Sequence, residues 1–221
     1  MLLLLISMNT NPAAKRILVY GDSFTYGWMT WVGRYASNKR FTGVLQQQLG
    51  ATYEIIEEGL RGRMLAGENA FFPHRDWLQQ FPSILWSHLP LDVIIFFLWT
   101  NDCNASSNKT VQDIHASLAS YAQIIDDWVA FFGVSAPNIL LVSPPVVQEA
   151  HLPPVFQPIF LWGAEKSKQL SSMYASWAKL KWWDFFDANL VVSASPLDGI
   201  HIDEQGHEIL ATHLAPYIYS L

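Results

Sequence analysis

A serine, a histidine and an aspartate carry the chemistry that this sequence offers. Gly21-Asp22-Ser23 follows a short strand-like run, Ile17-Leu18-Val19-Tyr20, and Asp198-Gly199-Ile200-His201 lies close to the C-terminus. A serine hydroxyl is a poor nucleophile until a base takes its proton. An imidazole, with an ordinary pKa of about 6.5, can accept and return protons near neutrality. A carboxylate that accepts from the other ring nitrogen fixes the tautomer and stabilises the imidazolium. With two residues between them, Asp198 and His201 can meet on one tight turn. Ser23 as nucleophile, His201 as base and Asp198 as orienting acid are the parts needed for acyl transfer.

Gly21-Asp22-Ser23, then Gly59, then Thr100-Asn101-Asp102, then Asp198-x-x-His201 resemble, in that order, the conserved blocks of the SGNH (GDSL) hydrolase family. They span nearly the whole chain, and the first three leave apolar runs. Glu57-Glu58-Gly59-Leu60, Leu89-Pro90-Leu91-Asp92, Val142-Ser143-Pro144-Pro145 and Phe185-Phe186-Asp187-Ala188 are similar to the small bacterial arylesterase/acyltransferase branch. The resemblance implies that Gly59, Asn101 and the Ser23 N–H receive the oxyanion of the tetrahedral intermediate. Each aimed donor is worth about 3–4 kcal/mol in the barrier. One position departs from the pattern: Trp99 stands where Gly-x-Asn-Asp has glycine. Pointing toward the site, Trp99 would favour small acyl groups; pointing into the sheet, it would only pack.

Each residue also has a structural reading. Ser23 or Asp22 could simply cap a helix, and Asp198 could be a turn-former before Gly199. Gly59 could be a turn glycine, and Asn101-Asp102 a turn or cap; Asp102 is taken as structural. Asp22, Tyr26, Trp28, Trp99 and Val146 are the candidates for the substrate pocket, with Trp31 nearby and core or subunit packing as the alternative for the aromatics. Arg61 and Arg63 could position a polar leaving group, although a solvated loop charge is the default. His207 and His213 flank Glu208 but stand six apart, so H-E-x-x-H geometry is excluded and a solvated helix surface is expected. No metal-ligand set, phosphate loop, dinucleotide fingerprint or Gly-x-Ser-x-Gly is present, and no cofactor is expected.

These residues must be positioned by a scaffold, and the chain alternates strands with helices. Strands are expected near 17–20, 53–57, 93–98, 139–142 and 184–186. Helices are expected at 41–49, 75–88, 111–132, 166–180 and 204–219. That alternation predicts one three-layer α/β/α sandwich, a flavodoxin-like, doubly wound five-stranded parallel sheet. Ligands bind such sheets at the carboxyl ends of the strands, where Ser23, Gly59 and Asn101 fall. The irregular stretch 143–163, rich in proline and apolar residues, is long enough to expect a covering or interface role.

At 221 residues, 51% of them hydrophobic and 14% charged, the chain suits one domain over 1–221 with a large core. Residues 1–14 are expected to form a flexible extension, with Met8 an alternative start. A net charge of −6 without basic clusters argues against nucleic-acid binding. The lone Cys103 excludes an intrachain disulfide. The apolar start, residues 1–6, is shorter than a secretory core of about 7–15 residues or a membrane span of about 20. A cytoplasmic location without membrane association is therefore expected, and the resembled arylesterases imply a homo-oligomer. The reading is a serine esterase for short-chain, acetyl-type carboxylic or aryl esters, needing only a small-molecule ester. An acyltransferase or perhydrolase, or a carbohydrate O-deacetylase, could use the same residues; a non-catalytic binding module is the remaining rival.

Overall fold

Val93-Ile94-Ile95-Phe96-Phe97 is apolar at every position, and such a strand is stable only where both faces are covered. The computed structural model, which describes residues 9–107 and 109–221, places it at the centre of a sheet. The chain runs β1 (Lys15–Gly21), α1 (Ser23–Tyr26), β2 (Trp28–Met29), β3 (Gly33–Arg34), α2 (Phe41–Leu49) and β4 (Tyr53–Gly59). It continues through α3 (Trp77–His88), β5 (Val93–Phe97), α4 (Val111–Phe132), β6 (Asn138–Ser143), α5 (Gly163–Lys181), β7 (Asp184–Asp187) and α6 (Glu204–Ser220). The main sheet is parallel throughout, in the order β4-β1-β5-β6-β7.

Alternation along the strands divides the core in two. Leu18, Tyr20, Ile94, Phe96 and Leu141 face Trp77 and Phe81 of α3, Ile114, Leu118 and Tyr121 of α4, and Leu170 and Tyr174 of α5. Ile17, Val19, Ile95, Phe97 and Leu140 face Phe41 and Leu45 of α2 and Leu210, Leu214 and Ile218 of α6. This is the doubly wound sandwich expected from the sequence. Strand order reverses beside β1, so the crevice between the ends of β1 and β5 is the topological switch point.

Tertiary contacts set the features that local sequence did not announce. Helix α5 starts at Gly163 rather than Lys166, because Glu149 Oε1 accepts from Ala164 N at 3.1 Å. The small β2–β3 hairpin consists of two residues per strand. Within 143–163, Val147 and Leu152 are buried in the core, and Gln148 N donates to Gly199 O at 2.7 Å. Of the expected extension, residues 1–8 lie outside the described residues. Asn9 and Asn11 donate side-chain hydrogen bonds to Ala51 O, at 3.2 and 2.9 Å.

Candidate active site

Three strand ends are brought level by register, because Gly21 of β1 pairs with Gly59 of β4 on one side and Phe97 of β5 on the other. Directly after Gly21, Asp22 Oδ1 accepts from Phe24 N at 3.0 Å and caps α1, which opens at Ser23. Asp22 is thus the cap, and Ser23, buried, occupies the first helical position. Gly59 lies under this turn. A Cβ at Gly59 would collide with the backbone of Thr25 and Tyr26, so glycine is required there by close approach.

The opposite wall comes from the segment preceding α6. His201 Nε2 lies 2.8 Å from Ser23 Oγ, and His201 Nδ1 lies 2.7 Å from Asp198 Oδ2. Asp198 Oδ1 accepts from the backbone N–H groups of Ile200 and His201, both at 2.9 Å. The turn needs Gly199, which has φ of +69° and sits where a Cβ would strike Gln148 O. Thr30 Oγ1 adds a fourth hydrogen bond to Asp198, at Oδ2 and 2.8 Å. Burial acts to raise the Asp198 pKa, but the hydrogen bonds and charge of His201 outweigh it and hold the carboxyl down at about 2. Asp198 is therefore an anion ready to stabilise an imidazolium.

Asn101 opens a 3₁₀ turn just beyond β5. Its Nδ2 donates to Arg63 O at 3.1 Å and to Asp22 Oδ2 at 3.3 Å. Asp22 is completely buried, and desolvation pushes its pKa up to about 7. Asp102 is also buried and pushed up to about 6, an effect of desolvation opposed by Lys109 at 3.5 Å. Its Oδ2 accepts from Leu65 N at 2.8 Å, tying the loop after β4 to the turn after β5. Arg63 is buried as well, with its guanidinium bonded to Gly21 O and Glu58 O. It is a structural brace, not a solvated loop charge.

The catalytic-looking groups open into a cavity of about 780 Å³ lined by Ser23, Asn101 and His201 together with Trp28, Trp31, Phe71, Phe72, Phe156, Ile159 and Phe160. Of the five pocket candidates, Trp28 is there, with its ring edge-on to His201 at 6.3 Å. The other four are not among the lining residues. Asp22 lies beneath the floor as the cap of α1. Tyr26 carries the Arg34 guanidinium 4.5 Å from its ring. Val146 N donates to Asn189 Oδ1 at 3.2 Å, on the side of β7. Trp99 points into the core and stacks on Tyr174 with ring centroids 3.9 Å apart. Its backbone keeps φ at +85°, the conformation that glycine would adopt freely. The indole is therefore core packing and not an acyl gate.

Phe71, Phe72, Phe156, Ile159 and Phe160 escaped the sequence reading because they lie in irregular loops without periodicity, although the apolar character of 143–163 was a signal. Nothing local pointed to Thr30. His207, expected on a solvated face, is buried and stacked on Phe41; His213 is exposed. Spaced six apart, the two histidines fall on different faces of α6. Among the described residues, no three His, Cys, Asp or Glu side chains group as a metal site. Nor is any described helix long and apolar enough to cross a membrane.

A hydroxyl, an imidazole and a carboxylate in line, beside level strand ends and an apolar cavity, can carry out nucleophilic acyl transfer. Residues 19–209 match the model of the GDSL-like lipase/acylhydrolase family. The structure is similar to that of an aryl esterase from M. smegmatis, with 38% identity, a TM-score of 0.86 and coverage of 94% of this chain and 100% of the other. It is also similar to a carbohydrate acetylesterase from Sinorhizobium meliloti, with 31% identity, a TM-score of 0.86 and coverage of 93% and 99%. A G-D-S-L lipolytic protein from Veillonella parvula, at 11% identity and a TM-score of 0.66, shares the fold. A comparison with curated protein sequences gives no match.

Proposed function

The chain belongs to the GDSL-like lipase/acylhydrolase family and is a carboxylic ester hydrolase, and on that premise we propose that it cleaves short-chain acyl or aryl esters through an acyl-enzyme on Ser23. The observation that carries the proposal is the unbroken line Ser23 Oγ, His201, Asp198, with contacts of 2.8 and 2.7 Å. His201 takes the Ser23 proton as Oγ attacks the ester carbonyl. The oxyanion is received by the Ser23 N–H, the Gly59 N–H and the Asn101 amide. Both Asn101 Nδ2 hydrogens are engaged, and the bond to Asp22 Oδ2, at 3.3 Å the longer of the two, is the one that a small rotation of the whole amide would exchange for the oxyanion. The imidazolium, stabilised by Asp198, then protonates the leaving alcohol. Water, deprotonated by the same imidazole, releases the acid.

A serine-reactive phosphonate tests this reading. Stoichiometric labelling of Ser23, blocked by a substrate ester, supports it; a label on another residue, or none, contradicts it. The apolar, aromatic cavity also supports a second reading, in which an alcohol competes with water for the acyl group. Added alcohol would then yield a new ester. The similarity to a carbohydrate acetylesterase supports acetylated sugars as the alternative substrate class.

A further inference from the structure

We propose that Arg61 is an anion-recognition group of the catalytic cavity, and that the preferred substrates are esters bearing a carboxylate. The inference rests on the esterase reading above and concerns the substrate of the same site. Among the described residues lining the cavity, Arg61 is the only lysine, arginine, aspartate or glutamate. Its guanidinium lies 3.5 Å from the Trp28 ring, and Trp28 in turn meets His201 edge-on at 6.3 Å. Cation, indole and imidazole therefore follow one another along one wall. Stacking satisfies the face of a guanidinium and leaves its N–H donors, which lie in the plane, unused.

No described residue takes up those donors in a hydrogen bond or ion pair, and the acids closest in sequence are engaged elsewhere. Glu57 pairs with Arg34 and Arg40, and Glu58 with His88 at 3.0 Å. Glu68 Oε2 accepts from Arg75 N at 3.0 Å. The backbone that carries the arginine is also held in place. Arg75 Nε donates to Arg61 O, and Asn69 Nδ2 to Gly62 O, both at 2.8 Å. A planar fork laid on an indole, half-buried in an apolar wall and lacking a protein anion, matches a carboxylate. A solvated loop charge would have neither the stack nor the anchored backbone.

The test compares 3-acetoxybenzoate with its neutral methyl ester, and monophenyl succinate with phenyl butyrate. The first pair carries the carboxylate on the leaving alcohol and the second on the acyl group. Wild-type kcat/KM is expected to favour the anion in one pair by about tenfold or more, the usual worth of a hydrogen bond to a charged partner. Added salt should erode that preference. Arg61→Gln should collapse the ratio toward one, with Arg61→Lys retaining part of it. Equal wild-type kcat/KM within both pairs, or an equal loss for anion and neutral ester in Arg61→Gln, would overturn the assignment while leaving the esterase intact. Absence of turnover of all four esters would overturn both readings.

Discussion

Thr30 and His201 bind the same oxygen of Asp198, Oδ2, at 2.8 and 2.7 Å, although Thr30 lies 168 residues upstream of that aspartate. The β2–β3 hairpin thus reaches across to the acid that orients the base. Removing the Thr30 hydroxyl leaves Asp198 freer to turn, so the imidazole spends less time aimed at Ser23. Thr30→Val is expected to lower kcat about tenfold with KM little changed, and Thr30→Ser to restore most of it. An equal thermal stability loss in both variants, with wild-type kcat, would show that Thr30 acts only in folding.

Trp99 provides a test in which backbone and side chain pull in opposite directions. The indole is buried against Tyr174, yet the residue holds φ at +85°. Trp99→Ala loses the packing, a cost of about 3–5 kcal/mol, and keeps the unfavourable dihedral. Trp99→Gly loses the same packing but relaxes the backbone. Denaturant unfolding should therefore find the glycine variant more stable than the alanine variant by about 1 kcal/mol. Because Trp99 is outside the cavity lining, a longer acyl chain should gain no selective advantage in either variant.

That residue also marks the limit of what sequence alone conveys here. The sheet was legible because Val93–Phe97 and its neighbours are apolar on both faces, which suits a parallel sheet covered by helices on each side. The line from Ser23 through His201 to Asp198 was legible because its parts are local motifs, each at a strand end or in one turn. The cavity wall was not. Phe71, Phe72 and Phe156 belong to loops whose course is fixed by distant bonds, such as Leu65 N to Asp102 and Gln148 N to Gly199 O. The direction of Trp99 depends on Tyr174, far along the chain, and no spacing rule could reveal it.

His207 predicts an acid-dependent loss of stability. Phe41 N donates to its Nδ1 at 3.3 Å, which requires an unprotonated ring nitrogen. Burial, followed by the charges of His201 and Arg40, lowers its pKa to about 3. Between that value and the unfolded value of about 6.5, the unfolded chain holds a proton that the folded chain refuses. This component of stability therefore falls as pH falls through that window, by up to about 1.4 kcal/mol per unit. His207→Phe should remove it. Urea unfolding at stepped pH should show the variant gaining on the wild type as pH drops from about 6.5. A constant difference would mean that His207 takes up its proton alike in the folded and unfolded states.

Asn101 should matter to the rate far more than to binding. On the proposed mechanism Asn101→Ala removes an oxyanion donor and is expected to cost about 10²–10³ in kcat, with a modest change in KM. It also frees Asp22 Oδ2 and Arg63 O, so a thermal melt must accompany the kinetics. A variant that melts like the wild type and keeps full kcat would remove Asn101 from the oxyanion site.

The central claim is that Ser23 carries the acyl group. Release of p-nitrophenol from acetate, butyrate and octanoate esters by wild type and Ser23→Ala tests it most directly, with a melt to show that the variant is folded. Loss of the nucleophile should lower kcat by about 10⁴–10⁶ on every ester that the wild type cleaves, with acetate the best of the three. A folded Ser23→Ala protein that retains the wild-type rate would contradict the mechanism.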